Sequence, residues 1–287
     1  MEPSLSVVIP AYRASQTLPV AIKSAFDSGA EQVIVVDDGS DDDTAAVAEK
    51  EGATCVSQEN AGAAQARING ARLVVSKYLI FLDADDALIP EGVRGSIRRL
   101  EENRGLVVAA GTVIGQGAGG AERLFPIRYS PVTTESLLKH GYGPWPPCAA
   151  VVSTAGYRRC VSVDPQPLNP AYAEDYELLI RLSQVGQIDV RNDPTCRYSL
   201  SGGKSSKSAL RAIEAKERIR AHYADFLCLE IQLMSLQERE MAALVRAARA
   251  HRAQGSYLRA SMTMINWISK DPAYAARKLL SKPWQRN

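Results

Sequence analysis

Short apolar, β-branched runs alternate with amphipathic segments along the first 113 residues, and this alternation limits the fold more than any other feature. In the amphipathic segments the apolar residues recur at helical spacing, as Leu18, Ile22 and Ala25 do in the first of them. Strands alternating with helices of this length predict an α/β fold with a mainly parallel sheet covered on both faces. The predicted strands are 5–10, 32–36, 53–57, 78–82 and 106–113, and the predicted helices are 15–28, 41–52, 63–75 and 91–103.

The pattern after residue 113 is less regular and predicts two regions. We expect the mixed, mainly parallel sheet to fill a first domain at 1–204, and a helical, basic extension to occupy 205–287. Within the first domain the later predictions are a glycine-rich turn at 115–120, an irregular loop at 129–147, a strand at 148–153, a helix at 174–185 and short strands at 188–190 and 196–200.

Polar residues follow the predicted strands where each one ends. Tyr12 comes after the first strand, Asp38 after the second, Asn60 after the third, and Asp83 with Asp85 after the fourth. Ligands of parallel α/β sheets bind outside the carboxyl ends of the strands. The sequence therefore predicts a binding site built from these residues.

The closely spaced carboxylates of Asp83 and Asp85 form the strongest local signal. Residues i and i+2 of an extended chain point the same way, so both carboxylates can face one ligand. Such a pair can hold a hard divalent cation shared with substrate phosphates. A D-x-D sequence alone is weak evidence, because a solvated acidic loop or a helix cap has the same pattern.

Two further acidic motifs carry chemistry. In the segment 35–44, Asp38 can accept hydrogen bonds from the edge of a base, although a turn before an N-capped helix also fits this segment. Glu174 and Asp175 open a predicted helix, where acidic residues are favourable at the N-terminus. Their functional interpretation is a general base in a cleft.

Taken together, these motifs resemble the family 2 inverting glycosyltransferases, which have the GT-A fold. The order and spacing agree over about residues 4–200. The similar segments are Ser6–Tyr12, Val35–Thr44, Asn60–Gly62 with Ala66, Arg67 and Gly70, Tyr78–Asp86, and Glu174–Asp175 with Leu178, Arg181 and Leu182.

The resemblance implies a role for each matching position. Tyr12 is expected to stack on the nucleobase, Asp85 to ligate Mn2+ or Mg2+, and Asp175 to act as catalytic base. Glu174 is expected to orient the acceptor or support Asp175. The nucleotide-binding residues implied are Pro10, Ala11, Tyr12, Asp38 at the base edge, Gly62, Arg67 near base or phosphate, and Asp83 at the ribose.

The chain departs from the family pattern at three places. Arg13 follows Tyr12 where the family usually has Asn, and Ile68 follows Arg67 in place of another Asn. Many relatives have a histidine near the metal in the segment corresponding to 197–206, and this chain has none there. We expect Lys204 or its neighbouring glycines to contact the pyrophosphate instead.

Aromatic residues in the segment 129–147 suggest where an acceptor binds. Trp145, with Tyr142 and Pro144, can form a platform for a sugar, and plain packing under a loop explains the same residues equally well. The resemblance implies transfer from a UDP-sugar to a saccharide, lipid-linked or other hydroxyl acceptor, in the synthesis of cell-surface polysaccharide, lipopolysaccharide or a glycoconjugate. GDP and dTDP remain open as the nucleotide.

The distribution of charge along the chain indicates which partners the protein can contact and where it can be located. Residues 241–287 contain nine Lys or Arg and one acidic residue, Asp271, whereas the whole chain has a net charge of only +2. Contact with an anionic membrane carrying a lipid-linked acceptor is one interpretation, and a solvated helical face or a homodimer contact is the alternative. With no signal peptide and no long apolar segment, we expect a cytoplasmic protein, peripheral on the inner membrane face, with no nucleic acid partner.

Two other functions are compatible with the same predicted fold. A nucleotidyltransferase would have a glycine-rich, basic loop after the first strand, and residues 10–15 contain no glycine. A catalytically inactive nucleotide-sugar-binding module would keep the fold without the base, and Asp175 is present. The sequence favours the metal-dependent enzyme.

Overall fold

The computed structural model describes residues 5–117, 120–169, 171–200, 208–253 and 255–280. Over these residues the chain forms one sheet of nine strands. The strands are β1 Leu5–Ala11, β2 Gln32–Asp37, β3 Thr54–Ser57, β4 Tyr78–Phe81, β5 Ala87–Leu88, β6 Leu106–Gln116, β7 Glu122–Phe125, β8 Ala150–Ser153 and β9 Gln187–Ser199. Their order is β3-β2-β1-β4-β8-β6-β9-β5, with β7 paired to β6 outside this path.

Helices cover the sheet and continue beyond it. Seven of them precede residue 200: α1 Leu18–Asp27, α2 Thr44–Lys50, α3 Ala63–Arg72, α4 Pro90–Glu102, α5 Thr134–His140, α6 Thr154–Ser162 and α7 Glu174–Val185. Four follow it: α8 Ala209–Phe226, α9 Leu236–Ala253, α10 Tyr257–Lys270 and α11 Pro272–Leu280. The predicted α/β fold, with a mixed sheet flanked by helices, is confirmed.

The N-terminal half of the sheet is parallel, and its central strand, β1, is fully buried. β1 pairs in parallel with both β2 and β4, so that Ile9 lies opposite Val35 and Val8 opposite Phe81. All seven residues of β1 are buried, as expected for a strand covered on both faces. This pairing brings the carboxyl ends of β1, β2 and β4 to one edge, where the predicted site residues follow.

The second half of the sheet mixes strand directions and differs from the sequence prediction. β8 pairs antiparallel with both β4 and β6, while β6 and β9 run parallel. The two strands expected at 188–190 and 196–200 are one strand, β9, whose pairing with β6 shifts register near Pro194. The prediction of two strands was wrong because proline interrupts the hydrogen-bonding pattern without ending the strand.

The segments expected to be irregular also contain regular elements. The loop predicted at 129–147 includes α5, which begins with a capping box between Thr133 and Ser136 and ends at Gly141 in the left-handed conformation. At 115–120, β6 extends to Gln116 and forms a hairpin with β7. The sequence prediction missed α5, α6 and β7 because their apolar patterns are short.

The C-terminal helices pack in two ways. α8 contributes Ile219 and Tyr223 to the main core, whereas α9 to α11 share a small cluster formed by Met241, Trp267 and Ala275. The division of the chain at residue 204 stays a prediction. Within the described residues, we find no helix that combines the length and the apolar character of a membrane span.

Candidate active site

Side chains from five elements gather at the carboxyl edge of the parallel strands. Pro10 and Ala11 end β1 and are buried, and the next residue, Tyr12, has 47% of its surface exposed. The backbone N–H of Asp38 donates to Ala11 O at 2.8 Å, which ties the ends of β1 and β2 together. The backbone of Tyr12 therefore follows directly on the residue that is bonded to Asp38 at the sheet edge.

Arg13 has a defined structural role. Its guanidinium makes two hydrogen bonds of 2.6 Å to the carboxylate of Asp41, and its backbone N–H donates to Ser40 Oγ at 2.9 Å. It also lies 5.3 Å from the centre of the Tyr12 ring. The hydrogen bond to Asp41 raises the pKa of Arg13 and lowers that of Asp41. Arg13 thereby links the β1 and β2 loops.

Asp38 is buried and holds the loop that precedes α3. Its Oδ1 accepts from Gln58 Nε2 and the backbone N–H of Ala61, and its Oδ2 accepts from the backbone N–H of Gly62, each at 2.8 Å. Gly62 has φ of 89°, a conformation that favours glycine. Asp38 thus fixes the start of α3, a role that the sequence did not reveal.

Arg67 joins the two halves of the site. From the first turns of α3, its Nη2 donates to Asp83 Oδ1 at 2.5 Å and its Nη1 donates to Glu174 Oε1 at 2.8 Å. Burial alone would lower the pKa of Arg67, but Asp83 and Glu174 outweigh it and raise this pKa. The arginine therefore stays charged, with its side chain 13% exposed.

Asp83 and Asp85 follow β4 and differ in their surroundings. One carboxylate oxygen of Asp83 accepts a hydrogen bond from Arg67, whereas Asp85 is exposed. Partial removal of water and the adjacent charge of Asp83 raise the pKa of Asp85. Two neighbouring carboxylates are a suitable donor set for a hard divalent cation, since oxygen is the ligand that such cations prefer. The residues present fit Mn2+ or Mg2+.

The side chain of Asp86 is buried in the protein, which the sequence analysis did not predict. It is 3% exposed and its Oδ1 accepts from the backbone N–H of Ser199 at 2.8 Å, which ties the acidic loop to β9. Burial, followed by the charge of Asp83, raises the pKa of Asp86 to about 7. Its carboxylate lies beside the buried thiols of Cys148 and Cys196. Asp86 therefore positions the loop and does not face the nucleotide side.

Glu174 and Asp175 open α7 after Ala173, which has φ of 63°. Glu174 is largely covered and paired with Arg67, and burial raises its pKa despite the opposing effect of that arginine. Asp175 is exposed and lines the adjacent cavity. The two neighbouring carboxylates are therefore different: Glu174 is held by an arginine, and Asp175 faces open space.

A buried network fixes the segment that leads into α7. Arg181 donates to the carbonyl oxygens of Val161, Val163 and Pro165 at 3.1, 2.7 and 2.6 Å. Tyr223 of α8 donates to Glu177 Oε1 at 3.1 Å, and burial, with Arg181 opposing it, raises the pKa of this tyrosine to about 12. Because α7 is anchored from both sides, its first turn is held in place.

A cavity of about 700 Å³ opens beside Asp175. Tyr142, Pro144 and Trp145 line it, but Trp145 is only 8% exposed and packs in the main core. The structure thus places the three predicted platform residues together while leaving little of the indole uncovered. Lys204 lies outside the described residues.

Three basic residues that the sequence analysis missed also line the cavity. They are Arg128 from the segment before α5, Lys216 from α8 and Arg246 from α9. Helical spacing assigns Lys216 and Arg246 to helix surfaces, but only the packing of α8 and α9 shows which cavity they reach. An excess of Lys and Arg after residue 241 was the one signal in the sequence that concerned this region.

The mixed sheet and the carboxylates at its edge define the class of protein as a GT-A glycosyltransferase. The sequence model of the family described as glycosyl transferase family 2 matches residues 6–155, more than half of the chain. The chain belongs to this family.

Individual relatives are distant in sequence. An uncharacterized glycosyltransferase of Rickettsia prowazekii is 25% identical over 247 residues, covering 81% of this chain and 75% of the relative. Chondroitin synthase of Escherichia coli is 26% identical over 200 residues, 64% of this chain, which spans only 27% of that enzyme's length.

Solved structures agree in fold. TarS of S. aureus (residues 1–349) has a TM-score of 0.57 at 17% identity, covering 99% of this chain and 94% of TarS. Glucosyl-3-phosphoglycerate synthase of Mycobacterium tuberculosis, in complex with Mn2+, UDP and glucosyl-3-phosphoglycerate, has a TM-score of 0.52 at 20% identity, covering 79% and 81% of the two chains.

Proposed function

We propose that this glycosyltransferase moves a sugar from a UDP-sugar to an acceptor hydroxyl with inversion at the anomeric carbon. The observation that carries the proposal is the bridge made by Arg67 between Asp83 and Glu174. It brings the carboxylates after β4, proposed for the donor, next to Asp175, proposed as the base. The residues proposed for the donor and the residue proposed as the base therefore lie at one edge of the sheet.

On the donor side, the nucleobase stacks on the exposed ring of Tyr12 above Pro10 and Ala11. Asp38 Oδ2 accepts one internal hydrogen bond, from Gly62, and a carboxylate oxygen can accept a second from the edge of uracil. Asp83 binds the ribose. TarS has been solved with UDP and UDP-GlcNAc, which supports UDP as the nucleotide.

A divalent cation, Mn2+ or Mg2+, would be held by Asp85 at this site. When bound, it would neutralise the negative charge that develops on the departing diphosphate. Support comes from the exposure of Asp85 and its raised pKa, caused by partial removal of water and by Asp83. Arg67 keeps Asp83 in place and does not compete for Asp85.

On the acceptor side, Asp175 accepts the proton of the attacking hydroxyl. The acceptor oxygen forms a bond to the anomeric carbon while the bond from that carbon to the diphosphate oxygen breaks, and this single displacement inverts the centre. Asp175 suits the role better than Glu174, because Glu174 is already bonded to Arg67 and Asp175 is exposed to the cavity. One carboxylate activating the nucleophile is the base half of inverting sugar chemistry.

The experiment that tests this function compares Asp175→Asn with the wild-type protein. UDP release from a panel of UDP-sugars should fall at least about 100-fold in the variant, since general base catalysis contributes roughly 10²–10⁴-fold. UDP affinity should stay within about twofold. Asp225→Asn, at an exposed carboxylate on α8, is the matched control and should match wild type.

Other results of the same experiment would favour the alternatives. An inactive binding module would bind UDP and release none from any UDP-sugar, even in the wild-type protein. A nucleotidyltransferase would release pyrophosphate from a nucleoside triphosphate. Equal turnover by wild type and Asp175→Asn would exclude Asp175 as the base.

We also propose that α10 rests on an anionic membrane that carries the acceptor, consistent with a role in cell-surface polysaccharide or glycoconjugate synthesis. Five large apolar side chains of α10 are exposed, and at 3.6 residues per turn they fall within about 140° of the helix circumference. They are Tyr257, Leu258, Met262, Ile265 and Ile268. The basic excess after residue 241 supplies charge complementarity to anionic headgroups.

Vesicle sedimentation tests this contact. The protein should sediment with phosphatidylglycerol vesicles and not with phosphatidylcholine vesicles, and Met262→Glu with Ile265→Glu should abolish sedimentation. Binding that survives the double variant would overturn the membrane assignment. A wild-type dimer that this double variant converts to a monomer, with no vesicle binding, would assign the face to a second copy of the chain.

A further inference from the structure

Three positive side chains line one end of the cavity that contains Asp175. Arg128 precedes α5, Lys216 lies on α8 and Arg246 lies on α9, so that three separate segments bring a cation to the same space. Lys216 and Arg246 are partly covered, and Arg128 stands at the exposed rim. The proposed transfer reaction gives none of them a role.

Contacts fix where this basic end lies. Lys216 Nζ is 3.3 Å from Gly141 O and 6.0 Å from the centre of the Tyr176 ring, next to Asp175 in the sequence. The Arg128 guanidinium lies 5.3 Å from the centre of the Tyr142 ring. Gly141 and Tyr142 are consecutive, so Lys216 and Arg128 approach the same loop. The cations therefore lie on the side of Asp175.

Several charged groups act on Lys216 at this end of the cavity. Burial and then the neighbouring Arg246 lower the pKa of Lys216, Arg128 acts in the same direction, and Asp175 opposes them. Asp175 is the carboxylate that acts most strongly on Lys216, yet the proposed mechanism needs it for the acceptor proton. Glu174 is already bonded to Arg67, and Glu177 accepts from the backbone N–H groups of Leu168 and Asn169.

We infer that the acceptor carries an anionic group, a phosphate or a carboxylate, that binds among Arg128, Lys216 and Arg246. This inference rests on the proposed function, because it assumes that the cavity beside Asp175 receives the acceptor. An anion at this end would relieve the repulsion among the three cations and place the reacting hydroxyl toward Asp175. Because α9 supplies Arg246, the C-terminal helices take part in acceptor selection.

Calorimetry with matched probes tests the inference. Methyl glucoside, methyl galactoside and methyl mannoside are each compared with their 6-phosphates and with the corresponding methyl uronides, in the presence of UDP and Mn2+. In at least one series an anionic member should bind about 10-fold or more tightly than the neutral glycoside, as charge-assisted hydrogen bonds imply. The phosphate and uronide arms distinguish the two anions.

Substitutions test whether the three basic residues cause the preference for an anionic probe over the neutral glycoside. Lys216→Gln combined with Arg246→Gln should reduce it to about twofold or less, and Arg128→Gln, from a separate segment, should reduce it independently. Arg218→Gln with Arg249→Gln, at exposed positions on the same two helices, is the matched control and should retain the preference.

Each other outcome is decisive. Equal binding of neutral and anionic probes, or a preference that survives both sets of substitutions, would overturn the inference. A wild-type protein that fails to bind UDP would instead refute the proposed function. Loss of UDP affinity in Lys216→Gln as large as the loss of anion affinity would remove Lys216 from the acceptor side.

Discussion

Replacing Arg67 with methionine should destabilise the protein in a manner that depends on pH. Removing one partner of a fully buried ion pair costs about 3–5 kcal/mol. Here the side chains of Asp83 and Glu174 are 41% and 26% exposed, and solvent screening lowers the cost. We expect the free energy of unfolding to fall by about 2–3 kcal/mol at pH 8.

The pH dependence follows from Glu174. Its pKa is already raised by burial, and Arg67 opposes that rise, so loss of Arg67 raises it further in the folded state. A group with a raised folded pKa contributes stability at low pH that is lost as the pH rises through that pKa. In Arg67→Met the penalty should therefore be smaller at pH 5, about 1 kcal/mol or less.

Urea unfolding followed by circular dichroism at pH 5 and pH 8 measures both effects. Arg98→Met, on the exposed face of α4, should change the unfolding free energy by less than about 0.5 kcal/mol at either pH. Equal destabilisation of Arg67→Met at the two pH values, or a loss no larger than that of the control, would refute the bridging role of Arg67.

Three further predictions follow from other contacts. Asp38→Ala removes the acceptor of three hydrogen bonds and should lower both the melting temperature and, about 10-fold or more, the UDP affinity measured by calorimetry. Gly92→Ala would place Cβ 2.2 Å from Pro194 O and should cost about 3 kcal/mol in urea unfolding, whereas Gly95→Ala meets only the end of a flexible arginine and should cost less than about 1 kcal/mol. Removal of divalent cations with EDTA should lower UDP release at least about 10-fold, and Mn2+ should restore it; turnover unaffected by EDTA would contradict the role proposed for Asp85.

Local patterns allowed the first half of the sheet to be predicted. The strands β1, β2 and β4 are mainly apolar runs, and the parallel pairing of β1 with β2 and β4 puts the residues after them at one edge. Asp38 and Asp83 could therefore be placed together without a structure. The position of β8 between β4 and β6 depends on distant pairing, which a single sequence does not show.

The rest of the site depends on contacts between remote parts of the chain. Arg67 and Glu174 are separated by 107 residues, and no local pattern indicates that they meet. Lys216 and Arg246 lie in helices. The spacing of apolar residues shows which face of such a helix is polar, but it does not show which part of the chain that face meets. The inward turn of Asp86 toward β9 has the same origin, since its sequence motif matches that of an exposed acidic loop.

The stereochemistry of turnover tests the central claim most directly. Proton NMR can follow the first sugar released from an α-linked UDP-sugar in the presence of Mn2+, before mutarotation mixes the anomers. We predict that the β anomer appears first, because a single displacement with water or an acceptor inverts the centre. Initial release of the α anomer would contradict the inverting mechanism and the role of Asp175 as its base.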